Sequence, residues 1–437
     1  MYRNHYVLLL LLIVFTVATV PMSAVPIHAN DLAASEFGVN SHIASRYNNY
    51  HLLEWAADVL DQSGAGWVRE DFHWFWIEPE PGRFQWEYYD RMVELVHARG
   101  INIIGVLGHP PGWATPHPHD GYSDVSFYEP NAHQFAAFAR QVVERYRNSI
   151  THWEIWNEPD NPQFWKPAPD PIAYARVLSA TSAEISLVAP EANILLGGIN
   201  PYDTAFLRTI AEAGAWWSFD ILNIHPYVDP ATPEDNGGMA GTAMANMQSV
   251  MNWAGQKPVW VTEYGWSARP SDRDPAGSTT EDEQASYLVR GAALLRAAGV
   301  QRILWYSIKD EVHNGYGLLR FASNYDDYND PRPALTAFRV LNQRLTGATF
   351  ERYRYDFQVV GEHGNTGQQN VYVLRFVRGG ETIDVVWSLV PGVILLTADQ
   401  PQARLFNRDG FDWTVQAEGN RLRLYVGQTP LYVVQPR

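Results

Sequence analysis

The chain contains no cysteine, which removes disulfides, thiolate nucleophiles and thiolate-bound metals and leaves no site for lipobox-type acylation. Cations are scarce as well: 32 Lys and Arg stand against 48 Asp and Glu, a formal net charge of −16. Nucleic acid and anionic membrane surfaces are poor partners for such a chain, because both require a basic face that displaces counterions. Internal repeats and low-complexity tracts are absent too.

An apolar run at 7–20 follows Arg3 and precedes the small residues Ala24 and Ala29. This is the layout of a signal peptide within residues 1–29, and the run is short for a membrane span of ~20 residues. Met22 and Ile27 fit poorly two positions before a cleavage point, so an uncleaved N-terminal anchor is the alternative. Both readings make the protein secreted or extracytoplasmic, with membrane contact only through that anchor.

The 437 residues are 46% hydrophobic and 18% charged, the composition of a globular protein with a large core. Seventeen Trp and 23 Tyr are unusually many. Flat aromatic faces pack cores, but they also stack on ligands with apolar faces such as sugars. Only rings at strand ends earn a functional reading here.

From about residue 36, short apolar runs alternate with helix-periodic stretches, which predicts βα units and a parallel sheet. Eight strands are expected, at 37–40, 66–69, 101–107, 151–156, 194–198, 219–225, 258–263 and 302–307. Helices are expected at 131–147, 171–189, 205–213 and from Thr280, where Glu283 three residues on completes a capping box. The fold class is therefore α/β, a (β/α)8 TIM barrel over residues 36–345. Beyond the helix opened by Pro333 the period changes to two, and strands at 371–377, 382–390, 393–397, 411–416, 421–426 and 431–434 predict a small all-β sandwich over 346–437. Trp387 and Trp413 fall within those strand patterns, favouring a structural flank over a binding module. The loops at 229–245 and 267–279 follow strands six and seven, so they are expected to wall a cleft at the C-terminal face.

Two motifs carry chemistry: Trp156-Asn157-Glu158-Pro159 at the end of strand four and Val261-Thr262-Glu263-Tyr264-Gly265 at the end of strand seven. Either alone is weak, since a strand-ending glutamate is commonly a solvated residue or a helix cap. Together they place two carboxylates across a barrel mouth, the minimum for glycosidic hydrolysis, and a separation of ~5 Å would imply retention of configuration.

These motifs resemble the clan of retaining barrel glycosidases whose acid/base glutamate ends strand four within Asn-Glu-Pro and whose nucleophile ends strand seven. Within it the chain is most similar to the family 39-like group of β-xylosidases, α-L-iduronidase and exopolysaccharide-cleaving enzymes. Supporting segments are Val68-Arg69-Glu70-Asp71-Phe72-His73-Trp74, Ile77-Glu78-Pro79-Glu80-Pro81-Gly82-Arg83-Phe84-Gln85-Trp86 and Pro110-Pro111-Gly112-Trp113. The resemblance spans residues 37 to about 345. It implies Glu158 as acid/base, Glu263 as nucleophile, Asn157 as the partner of the sugar 2-hydroxyl, Arg69 as the residue orienting the nucleophile, and Tyr227 as a hydrogen-bond donor to it. It further implies Trp305 as a stacking platform, with His109 and Trp113 in the same cleft.

Arg69 could instead form a structural salt bridge with Glu154 or Glu70. His225, two residues before Tyr227 on one strand face, is a weaker candidate, because a lone buried histidine is more often a satisfied core residue. Glu158 must be protonated when substrate binds while Glu263 is charged, which predicts a mildly acidic optimum. No cofactor and no metal are expected: His109, His117 and His119 lack an acidic partner, and Asp326, Asp327 and Asp330 lack the Gly and Glu of an EF-type loop. The expected partner is a polysaccharide or oligosaccharide. A non-catalytic carbohydrate-binding barrel and a transglycosylase using the same residues stand as alternatives.

Overall fold

The computed structural model describes residues 35–45, 52–116, 127–235, 239–321, 329–360 and 368–437. The expected signal segment, His117, His119, Asp326 and Asp327 lie outside these. Among the described residues no helix is long and apolar enough to cross a membrane.

All eight expected strands form: β1 (Phe37–Asn40), β2 (Trp67–His73), β3 (Asn102–Gly108), β4 (His152–Ile155), β5 (Asn193–Leu196), β6 (Leu222–Ile224), β7 (Val259–Tyr264) and β8 (Arg302–Trp305). They run parallel in the order β5-β4-β3-β2-β1-β8-β7-β6. Isolated parallel bridges, Leu195 with Ile221 and Ile199 with Ile224, bring β5 to β6 and all but close the barrel. The helices are α1 (Leu52–Ser63), α2 (Trp74–Ile77), α3 (Glu87–His97), α4 (Ala132–Tyr146), α5 (Pro171–Val188), α6 (Ala205–Glu212), α7 (Met239–Ala254), α8 (Glu281–Ala297) and α9 (Pro333–Leu345).

Their starts follow local chemistry. Asn131 and Asp170 each accept backbone N–H bonds from the first turns of α4 and α5, and Thr280 with Glu283 forms the expected capping box. Residues 239–245, expected as loop, belong to α7: Met and Ala carry helix propensity that the neighbouring glycines obscured.

Because strand side chains alternate, the barrel interior is layered. Trp67, Ile104, Leu195, Ile221, Trp260 and Leu304 form an apolar floor. Two residues beyond Trp67, Ile221 and Trp260 stand Arg69, Asn223 and Thr262, all buried, so the layer above the floor carries buried polar groups.

The C-terminal strands are β9 (Thr349–Tyr353), β10 (Phe357–Val360), β11 (Val371–Arg378), β12 (Glu381–Ser388), β13 (Gly392–Thr397), β14 (Gln402–Asn407), β15 (Asp412–Gln416), β16 (Arg421–Val426) and β17 (Leu431–Pro436). They make a six-stranded sheet, β15-β14-β17-β12-β11-β9, facing a three-stranded one, β10-β13-β16. Three of them, β9, β10 and β14, were not expected. β9 and β10 are short edge strands with weak alternation, and in β14 only Ala403, Leu405 and Phe406 are buried.

The six-stranded sheet is covered on both faces. Val373, Val386 and Val433 face the smaller sheet, while Phe376, Ile383, Val385, Trp387 and Tyr432 join the core that also holds the barrel helices. Trp387 is fully buried and stacks on Tyr372, but Trp413 is 41% exposed and is not a core residue. Arg290 on α8 pairs with Glu234 and also donates to the carbonyl of Gln428 in the sandwich. Arg290→Ala would leave Glu234 buried without its partner and should lower unfolding stability by about 3–5 kcal/mol. Urea titration checks this, and a loss under about 1 kcal/mol would mean the pair contributes little.

Candidate active site

Arg69 is the centre of the polar layer. Its Nε and Nη2 reach the two carboxylate oxygens of Glu154 at 2.8 and 2.8 Å. Nη1 donates to Glu263 at 2.6 Å and to Asn40 at 3.0 Å, and Nη2 donates to Asn157 at 2.7 Å. These bonds employ every N–H a guanidinium has. Burial opposes the charge, but Glu154 and Glu263 outweigh it and raise the pKa of Arg69. Arg69 thus makes the salt bridge with Glu154 and also holds Glu263. Glu70 is not a partner: it accepts the backbone N–H groups of Ile43, Ala44 and Ser45 and so fixes the turn after β1.

Glu263 stands where the pairing of β7 with β8 loses register between Val261 and Tyr264. Such irregularities re-aim side chains. Thr262 and Glu263, though adjacent, both point to the interior: Thr262 Oγ1 meets Asn223 at 2.8 Å, and Glu263 Oε2 accepts from the Tyr227 hydroxyl at 2.9 Å. Burial and then Glu263 push the Tyr227 pKa well above its ordinary value, which keeps the phenol a donor.

Glu158 is held differently. The chain after β4 passes through left-handed backbone at Trp156 (φ 70°) and at Glu158 itself (φ 44°). For non-glycine residues this costs of order 1–3 kcal/mol and persists only where the surroundings over-determine it. Here Trp156 is buried with its indole N–H on the Phe164 carbonyl, and Asn161 donates to Glu158 Oε2 at 2.8 Å. Among the described residues the other non-glycine positions with left-handed backbone, His42 and His109, also follow barrel strands.

His225 links the two carboxylates. Its Nδ1 lies 2.9 Å from Glu158 Oε1 and 3.8 Å from Glu263 Oε2, and Nε2 lies 2.9 Å from Thr262 Oγ1. Gly198 at the end of β5 makes room for it, since a Cβ there would sit 2.0 Å from Nε2. Burial lowers the imidazole pKa, but Glu263 and Glu158 overcome that and raise it above 6.5. Burial raises the Glu158 pKa, yet His225, Asn161 and Arg273 bring it below its ordinary value. In the free protein these opposite shifts favour the proton on the histidine side of the pair, whereas the expected protonation of Glu158 concerns the state with substrate bound.

Glu158, His225 and Glu263 each turn one potential ligand atom to within 4.8 Å of the others. All four carboxylate oxygens already have hydrogen-bond partners, in Arg69, Tyr227, Asn161 and His225. Beside Glu158 opens a cavity of about 620 Å³ lined by Asp160, Asn161, Tyr202, Phe206 and Arg273 among others. Asp160 is pushed up to about 6 by burial.

The remaining sequence candidates separate. Trp305 cannot be a sugar platform: it is completely buried, packs on Tyr264 and Trp266, and gives its N–H to the Tyr316 carbonyl. Alternation turns it toward the helices and turns the half-buried Tyr306 into the mouth, where its ring lies 5.6 Å from His42 and 6.5 Å from Tyr227. Trp113 donates to Pro79 and packs on Trp74. His109 lies beside Trp156, with ring centroids 5.3 Å apart. Glu154, Asn40, Thr262 and Asn161 were not foreseen as site residues. Only the inward parity of Glu154, two before Trp156, could have signalled one of them.

Residues 126–331 match the family described as glycosyl hydrolase catalytic core, and residues 48–168 match the one described as beta-galactosidase. A family 39 glycoside hydrolase from the gut symbiont Bacteroides cellulosilyticus WH2 is 24% identical, with 94% of this chain and 83% of that one covered at a TM-score of 0.72. A family 39 β-xylosidase from Caulobacter crescentus is 16% identical over 93% and 97% of the two chains, TM-score 0.64. A family 30 endoxylanase from Clostridium papyrosolvens C71 is 12% identical over 93% and 98%, TM-score 0.62. No curated protein matches significantly. The solved structures share the (β/α)8 barrel fold of this chain, and the residues matched by the glycosyl hydrolase catalytic core model include both Glu158 and Glu263.

A histidine whose folded pKa is raised contributes stability that is complete below its unfolded value and is lost as pH climbs through the folded one. The thermal midpoint of wild type should therefore exceed that of His225→Gln most below pH 6.5 and by less above it. A margin that widens with pH would mean that the imidazole is held neutral.

Proposed function

We propose that this protein is a retaining glycosidase acting on a poly- or oligosaccharide, with Glu158 as acid/base and Glu263 as nucleophile. The observation that carries the reading is the spacing of the two carboxylates, whose nearest oxygens lie within 4.8 Å. That leaves no room for a water on the far side of the sugar, as inversion needs at ~6.5–9.5 Å, and suits direct attack at ~5–5.5 Å. Glu263, aimed by Arg69 and Tyr227, attacks the anomeric carbon. The leaving oxygen takes the proton that His225 and Glu158 share, delivered from Glu158. Water then enters, Glu158 accepts its proton, and the glycosyl–Glu263 ester is hydrolysed.

Asn157, oriented by Arg69, meets the 2-hydroxyl, and the Tyr306 face supports the sugar ring in place of Trp305. The acceptor in the second step is water or another sugar, so transglycosylation uses the same residues. The signal-peptide or anchor layout of residues 1–29 supports action outside the cytoplasm, where polysaccharides are met.

Proton NMR of the first product from an aryl β-glycoside should show retained configuration, and Glu158→Gln and Glu263→Ala should each lose at least about a thousandfold in kcat on polymer. First-formed product of inverted configuration would refute the mechanism. Arg69→Lys, which cannot reproduce a planar five-donor fork, should cost about a hundredfold in kcat/KM by misplacing Glu263. A near-wild-type rate in that variant would remove Arg69 from nucleophile positioning.

A further inference from the structure

The cavity of about 620 Å³ beside Glu158 runs round the barrel mouth from the loop after β4 to the loop after β7. Its volume falls within the roughly 300–1,000 Å³ of ligand sites. Glu158, His225 and Tyr227 line it, so it opens directly on the reaction centre. The acid stands beside the leaving oxygen, which makes this the place of the leaving sugar. Pro162, Tyr202 and Phe206 give it apolar walls.

Arg273 is the only lysine or arginine that lines it. The residue lies in the loop after β7, is exposed, and has its guanidinium carbon 4.3 Å from the centre of the Tyr227 ring. Among the described residues it makes no hydrogen bond and no ion pair. The other arginines of the loops after β7 and β8 are committed: Arg269 and Arg332 to Asp310, and Arg320 to Glu281. Asp229, in the preceding loop, takes its hydrogen bond from the Tyr316 hydroxyl instead. A guanidinium held by its face over a ring keeps its edge N–H groups for a ligand, and those groups form the fork that matches a carboxylate. The acids of the cavity lie at its other end, after β4 and β5. Asp160 accepts the backbone N–H of Asn200 and is pushed up to about 6 by burial, so it is largely neutral in mildly acidic solution. Asp203 accepts the N–H of Ala205 at the start of α6.

We propose that this cavity takes a uronic acid as the leaving sugar, its carboxylate paired with Arg273, so that the substrate is an acidic polysaccharide. The proposal rests on the glycosidase reading and names the substrate class of that site. A neutral sugar would leave a cation beside the scissile bond without a counter-charge, whereas a carboxylate accepts two parallel N–H bonds from it. An exposed arginine is commonly just solvated; this one is fixed on the ring whose hydroxyl holds Glu263. The net charge of −16 opposes a polyanion at long range, but salt screens that field within about 10 Å at 0.1 M. The group that meets the carboxylate in the cleft then decides. Hydrolysis frees the hydroxyl of the leaving sugar, so each cut exposes a uronate at the non-reducing end of the departing fragment.

Wild type and Arg273→Ala would be compared on polygalacturonate, alginate, hyaluronan and gellan, each beside its carboxyl-reduced form, a neutral chain otherwise identical. Thermal midpoints would verify folding. On the polymer that wild type cleaves, Arg273→Ala should lose about tenfold more in kcat/KM on the native form than on the reduced one, the scale of one charge-assisted pair partly screened by solvent. Arg273→Lys should recover part of that difference, having the charge without the fork. Mass spectrometry should place a uronate at the new non-reducing end of the fragments. Equal losses on the two forms would overturn the proposal, because Arg273 would then act only through Tyr227 or Glu158, and so would a uronate found only at the new reducing end. Independently of turnover, calorimetric titration of Glu263→Ala, which keeps every residue lining the cavity, should show tighter binding of native than of reduced polymer, and adding Arg273→Ala should erase that preference. No preference for any native polymer, or one that survives in the double variant, overturns the proposal. A preference that depends on Arg273, with no polymer cleaved by wild type, instead overturns the glycosidase reading and leaves the cavity as an acidic-sugar site.

Discussion

One guanidinium organises the mouth of this barrel. Arg69 touches β1 through Asn40, β4 through Glu154, the following loop through Asn157 and β7 through Glu263. Burying a cation in a protein interior is strongly unfavourable unless its partners repay the lost hydration. Here two carboxylates and two side-chain amides do so, and the charge lets two buried acids stand close together. Each contact also fixes a strand end, so the electrostatics of the site and the closure of the barrel depend on the same atoms.

Around that hub the chain concentrates its strain. Left-handed backbone at Trp156 and Glu158 turns the acid/base candidate out of strand parity and toward His225. Tight packing sustains it, through Trp156 among Phe135, Trp165 and His109. The two carboxylates are thus made unlike by their neighbours: Glu263 faces a permanent cation and a phenol, and Glu158 faces an imidazole that can gain or lose a proton.

The barrel was legible because buried parallel strands read as unbroken apolar runs that end in polar residues, and Val259–Tyr264 does so in six residues. Glu158 and Glu263 were legible because each sits in a short motif at such an end. Trp305 was misread because the choice between it and Tyr306 turns on which neighbour faces inward, and a one-residue difference reverses every side chain. His225 was undervalued because its partners, Glu158 and Thr262, lie 67 and 37 residues away in the chain. Edge strands such as β9 carry too few buried residues to show a period.

The sheet between the two domains has a consequence for synthesis. Tyr432, in the last strand, belongs to the same apolar core as the helices on the outside of the barrel, and β17 lies in mid-sheet between β12 and β14. A nascent chain that has emerged only through α9 carries a naked patch on α8, and the β-sheet meant to cover it lacks a central strand until residues 431–436 have emerged. The barrel is therefore sealed late, and during translation that patch is the surface a chaperone would meet.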